Sequence, residues 1–166
     1  MRYLTIGMAL AAISAPAAAP DSVWQFYEPE GSTLQAAVLA ADGSQLILKC
    51  DKPGKRKVYA VVAVPTQLAP AKGAAGYESR PVTLTFDNNA PVKDQWRFND
   101  KFAVAMNEVN LRTMTKFAEK LAGASKLNVI MEPFELSPYQ TTFDVTGATD
   151  ALAKVYESCK DESPVS

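Results

Sequence analysis

The side chains able to carry chemistry in this chain are carboxylates, hydroxyls, amines and one pair of cysteines, Cys50 and Cys159; its 166 residues include no histidine. That absence removes histidine acid–base catalysis, Ser-His-Asp and Cys-His nucleophiles, and imidazole-bearing zinc, copper and iron sites. Two cysteines alone do not close a zinc site, so neither a metal nor a cofactor is expected. Asp87 and Asp144 each follow a phenylalanine at the end of a β-prone run. As a pair about 5–10 Å apart they would suit glycosidase-type acid–base work. The favoured reading is that each caps a turn through its carboxylate. Glu132 and Glu135 flank Pro133-Phe134, either as an acidic rim or simply as solvated side chains. Lys52, Lys55, Arg56 and Lys57 form a basic turn, read as a solvated hairpin tip in preference to an anion site. Trp96-Arg97-Phe98, together with Tyr77 and Arg80, supplies the aromatic and guanidinium groups that commonly anchor interfaces. Tyr77, Arg80, Trp96 and Arg97 are therefore the candidate binding residues, with core packing the favoured reading of Trp96.

The compartment follows from the first residues. Residues 1–19, MRYLTIGMALAAISAPAAA, have the build of a secretory signal peptide: Arg2, an apolar run from Leu4 to Ala15, then small residues. The apolar run is shorter than the roughly 20 residues of a membrane span. Cleavage is expected after Ala17 or Ala19, with no cysteine at the junction to take a lipid. The leader is of bacterial type, and the mature chain is expected in the periplasm or outside the cell, with no other stretch able to cross a membrane. The formal charge is −1, from 17 basic and 18 acidic residues; without Arg2 of the leader it is 16 against 18, or −2. Such a balance argues against a nucleic-acid partner. In an oxidising compartment two cysteines are most simply a disulfide. A Cys50–Cys159 bridge closes a loop of 110 residues. Chain entropy assigns a loop near that size about 4.7 kcal/mol, a large share of the roughly 5–15 kcal/mol of a typical domain.

The elements that position these groups are short. Val23–Tyr27, Thr33–Ala40, Gln45–Cys50, Val58–Val64, Pro81–Asp87, Gln95–Phe98, Lys101–Met106, Leu127–Met131 and Thr141–Val145 read as strands from their alternation and flanking turns. Asp42-Gly43 marks a hairpin. Leu46, Leu48 and Cys50 share one face, so Cys50 is expected inside. Val58–Val64 is apolar throughout, as in a strand covered on both sides. Pro65–Pro81 is expected as a long surface loop. From Glu108 to Ala122 the period shifts: Val109, Leu111, Met114, Phe117, Ala118 and Leu121 predict an amphipathic helix, with Asn107 as its N-cap and Gly123 as its stop. A second helix with the stripe Ala151, Leu152 and Val155 runs to Cys159. Strands joined by turns, with helices late in the chain, predict an α+β fold: mainly antiparallel β, a sandwich or curled barrel, with one or two packed helices and one disulfide. One β-rich domain over residues 20–160 and a flexible tail over 161–166 complete the organisation.

The order of these features resembles a known group. It comprises a leader, a first strand carrying Trp24, Leu46-x-Leu48-x-Cys50, Arg80-x-Val82-x-Leu84-x-Phe86-Asp87, Trp96, an amphipathic helix, Ser137-Pro138-Tyr139, Phe143-Asp144-Val145-x-Gly147 and the closing Cys159. Over Val23 to Cys159 this resembles small exported bacterial proteins of the VasI/TagO type, which accompany type VI secretion systems, and related periplasmic proteins of proteobacteria. The resemblance implies a disulfide-closed β-rich fold and an accessory, non-enzymatic role, and it brings no catalytic residue. The function expected is an exported binding or accessory protein whose partner is another periplasmic or cell-envelope protein. A rival is an inhibitor or immunity-type protein of a secreted hydrolase. Its mark would be a rigid loop with an exposed acidic or aromatic tip, sought at Pro65–Pro81. A carboxylate-dependent hydrolase is the third reading, and it requires Asp87 and Asp144 to face one cleft.

Overall fold

A computed structural model describes residues 23–50, 57–71 and 77–165. The leader 1–19, the basic residues Lys52, Lys55 and Arg56, and part of the Pro65–Pro81 segment lie outside the described residues.

Alternation is the organising signal. The strands are β1 (Gln25–Tyr27), β2 (Gln35–Leu39), β3 (Gln45–Lys49), β4 (Tyr59–Ala63), β5 (Glu78–Phe86), β6 (Val92–Asn99), β7 (Phe102–Ala105), β8 (Asn107–Glu108), β9 (Leu111–Arg112), β10 (Lys126–Met131) and β11 (Tyr139–Asp144). The helices are α1 (Thr113–Leu121), between β9 and β10, and α2 (Ala148–Cys159), at the end. Nine strands make one sheet in the order β1-β2-β3-β4-β7-β6-β5-β10-β11, and β8 and β9 form a separate ribbon. Each pairing is antiparallel. The fold is thus α+β and mainly antiparallel.

One face of every long strand is apolar and buried. Val38 sits opposite Leu46, Leu46 opposite Val62, Val62 opposite Ala103, and Ala103 opposite Phe98. On the other side Leu84 and Phe143 flank the β10 residues Val129 and Leu127 in the same inward set. Burying a side chain of this size contributes about 1.5–3 kcal/mol. The sheet curls so that its last strand meets its second. Across that seam the Tyr139 hydroxyl donates to Asp42 Oδ2 at 3.0 Å, and Thr141 Oγ1 donates to Asp42 Oδ1 at 3.2 Å. Lower down, the Trp24 indole N–H donates to the Val145 carbonyl at 3.3 Å.

Both helices lie at the end of the sheet where β3, β7 and β11 finish. In α1 the buried stripe is Met114, Phe117, Ala118 and Leu121; in α2 it is Ala148, Ala151, Leu152, Val155, Tyr156 and Cys159. Gly147 at φ 85° admits α2, and Gly123 at φ 76° follows the end of α1; the left-handed region favours glycine at both. The Cys50–Cys159 disulfide ties the end of α2 to the residue after β3, with Cα atoms 6.2 Å apart and both cysteines buried.

Three local expectations change. The first helix starts at Thr113 and not at Glu108, because residues 107–112 form the β8–β9 ribbon. Val109 and Leu111 therefore leave the helical face; Val109 is fully exposed at the ribbon tip. The Pro65–Pro81 segment is not wholly surface: Leu68 and Ala69 are buried, and their N–H groups donate to the Asp100 carbonyl. The tail expected to fray is held as far as Val165. Asp161 Oδ2 accepts the Val58 N–H at 3.0 Å, the Asp161 N–H donates to the Tyr156 carbonyl, and Val165 packs against the core.

Candidate functional site at the loop end

Strand alternation decides where the candidate residues point. Trp96 and Phe98 face inward, and Arg97 between them faces out. Trp96 is wholly buried, edge-on to Phe117 with ring centroids 5.2 Å apart. It is a core residue, which corrects its candidacy as a surface anchor. Its indole N–H is buried without an acceptor among the described residues. Arg80, opposite Trp96 in β5, points to the same side but lies at the mouth of the sheet, where its guanidinium reaches Glu78 at 3.7 Å and stacks 4.5 Å from the Phe134 ring centroid.

Arg97 is engaged on the outer face. Its Nε and Nη2 donate to Glu108 Oε1 and Oε2 at 2.7 and 2.8 Å, holding the β8–β9 ribbon against the sheet. The paired hydrogen bonds raise the pKa of Arg97 further and hold that of Glu108 below the usual carboxylate range. Tyr77 lines an outer-face cleft of about 480 Å³ with Lys57, Tyr59, Val104 and Met106. The four candidates thus divide between the two faces of the sheet and do not form one surface.

The carboxylates Asp87 and Asp144 cap turns. Asp87 Oδ1 accepts the Ser125 and Lys126 N–H groups at 3.0 and 2.8 Å, and Asp144 Oδ1 accepts the Thr146 N–H at 3.0 Å. Lys126 stands between them in the sheet register. Hydrogen bonds from Thr146, with the nearby charge of Lys126, hold Asp144 below its ordinary pKa. Both carboxylates are engaged by backbone N–H groups, as the turn-capping reading expects.

What the structure brings together is the end of the sheet away from the helices. The β2–β3 turn, residues 64–71, the Asn99–Lys101 turn, the start of β5 and residues 132–138 meet there. Four large apolar side chains are exposed at this end: Leu39 (55%), Phe102 (44%), Phe134 (60%) and Leu136 (53%). Glu132 and Glu135 stand beside Phe134, both exposed, with no ion pair among the described residues. An acidic and aromatic tip of the sort sought at Pro65–Pro81, part of which lies outside the described residues, is found at Glu132–Leu136. Only tertiary structure sets Phe134 on Arg80, so Leu136 and Leu68 carried no signal in the sequence.

Asp42, read only as a turn residue, organises the seam at this same end. Burial works to raise its pKa, but hydrogen bonds from the Ser44 amide and hydroxyl, Tyr139 and Thr141 outweigh that and hold it low. Among the described residues no helix is long and apolar enough to cross a membrane. Comparison with protein-family models, with curated proteins and with solved structures finds no match.

Proposed function

We propose that this chain is an exported binding or accessory protein of the periplasm or cell exterior, without catalysis of its own, that engages another cell-envelope protein through its loop end. The observation that carries this is the placement of exposed Leu39, Phe102, Phe134 and Leu136 at the end opposite the Cys50–Cys159 clasp. Exposed apolar groups gathered at one end of a fold, here the last residue of β2, the first of β7 and two in 132–138, are what interfaces use as anchors. The disulfide is in keeping with an oxidising compartment. The resemblance to the VasI/TagO type points the same way, toward an accessory role.

An inhibitor or immunity-type role is the second reading. It is favoured by the exposed acidic and aromatic tip Glu132–Leu136, which is held by the stacking of Arg80 on Phe134. Both readings are tested by affinity capture from periplasmic extract with the wild type and with the double variant Phe134→Ser/Leu136→Ser. The reading expects a specific envelope protein retained by the wild type and lost from the variant at unchanged melting temperature. Equal retention by both proteins would refute it.

A further inference from the structure

A cleft of about 430 Å³ opens between residues 67–70 and 134–136 at the loop end. Its floor is fixed: Leu68 is 1% exposed, and the Leu68 and Ala69 N–H groups are bound to the Asp100 carbonyl at 2.7 and 3.1 Å. One wall is fixed as well, because Phe134 lies 4.5 Å from the Arg80 guanidinium, which Glu78 holds in turn. Pro70 and Leu136 complete an apolar lining. A cleft built this way needs little ordering when a side chain enters, which favours binding.

The rim has a sign. Arg80, the cation beside Phe134, is compensated by Glu78 at 3.7 Å. Asp100 and Lys101, on the neighbouring turn, carry opposite charges. Glu135 lines the cleft and is exposed without a cationic partner among the described residues, whereas Glu132, beyond Pro133, is not part of the lining. An apolar slot that carries such a carboxylate is complementary to a segment with an apolar side chain beside a basic one.

We propose that this cleft receives a basic segment of the partner protein, with an apolar side chain seated between Leu68 and Phe134 and a lysine or arginine side chain on Glu135. The inference rests on the binding-protein reading and names the chemistry of the partner. Apolar contact supplies the anchor, and the Glu135 carboxylate selects against acidic surfaces and speeds encounter at low salt.

The test uses the full mature protein and two synthetic nonapeptides: one with a central leucine flanked by lysines, the other with glutamates replacing the lysines. Fluorescence anisotropy at low and at 0.3 M salt reads the affinity. The lysine peptide is expected to bind with salt-sensitive affinity, and the glutamate peptide at least about tenfold more weakly. Phe134→Ala should weaken the lysine peptide about tenfold or more. Glu135→Gln should weaken it and flatten the salt dependence. Melting curves confirm that these exposed-site variants remain folded. No binding of the lysine peptide, equal binding of the two peptides, or binding indifferent to Phe134 would overturn the proposal. The envelope capture separates the levels: if the partner is still retained through Phe134 while the lysine peptide fails, only the basic-segment inference falls. If neither binds, the binding-protein reading falls with it.

Discussion

Asn107 caps a helix that does not begin next to it. Its side-chain oxygen accepts the Thr115 N–H at 3.0 Å, and its Nδ2 donates to Thr115 Oγ1 at 2.8 Å, eight residues along the chain. Arg112, at the N-cap position of α1, makes no side-chain cap bond. The β8–β9 ribbon thus folds back to supply the cap from outside, satisfying an otherwise orphaned first-turn donor.

Removing that cap should cost about 1 kcal/mol. Asn107→Ala is then expected to lower the melting temperature by about 2–4 °C, while Asn107→Asp, which keeps the acceptor, should lose less. Thermal unfolding followed by circular dichroism decides, and equal losses for the two variants would remove the capping account.

The helix also shows how far the sequence could be read. Met114, Phe117, Ala118 and Leu121 are the buried stripe that their spacing predicts, and Gly123 stops it. Val109 and Leu111 were also consistent with that helical spacing, yet two residues apart is equally the period of a strand. The turn at 109–110 resolves the ambiguity in favour of the ribbon. Most strands were legible because one face had to be buried. The same alternation held an unused signal: Trp96 and Phe98 cannot share a face with Arg97. The loop-end cleft was not legible, because Leu68 and Phe134 meet only through the curl of the sheet.

Trp96 and Tyr77 should therefore behave differently when shortened. Trp96→Ala empties a core position and should cost about 3–5 kcal/mol. Tyr77→Ala, at a 43% exposed site, should cost much less. Denaturant titrations of both variants measure this, and similar midpoints would contradict the assignment of Trp96 to the core.

Acid should weaken the fold. Asp42, Glu108 and Asp144 all have folded values below their ordinary 3.8, 4.5 and 3.8. A carboxylate depressed on folding contributes stability that is complete above its unfolded value and is lost as pH falls through the folded one. Melting temperature should accordingly drop below about pH 4.5, and Asp42→Asn should remove part of that drop. Calorimetry from pH 7 to pH 2 reads it, and stability that rises on acidification would refute the sign.

The clasp should matter to stability. The Cys50–Cys159 bridge spans 109 residues of separation, and its loss from a loop of this size corresponds to about 4.7 kcal/mol in the chain-entropy account. Cys159→Ser is expected to lower the melting temperature on the order of 10 °C or more. An unchanged value would show that the bridge contributes little.

The division between a clasped end and a binding end is the central claim, and site-specific photo-cross-linking tests it most directly. A cross-linker is placed at Phe134 on the loop end and, separately, at Val109, which is fully exposed at the ribbon tip near the helices. In periplasmic extract the account predicts a discrete adduct with one envelope protein from position 134 and none from position 109. An adduct from 109 alone, or from neither position, would contradict it.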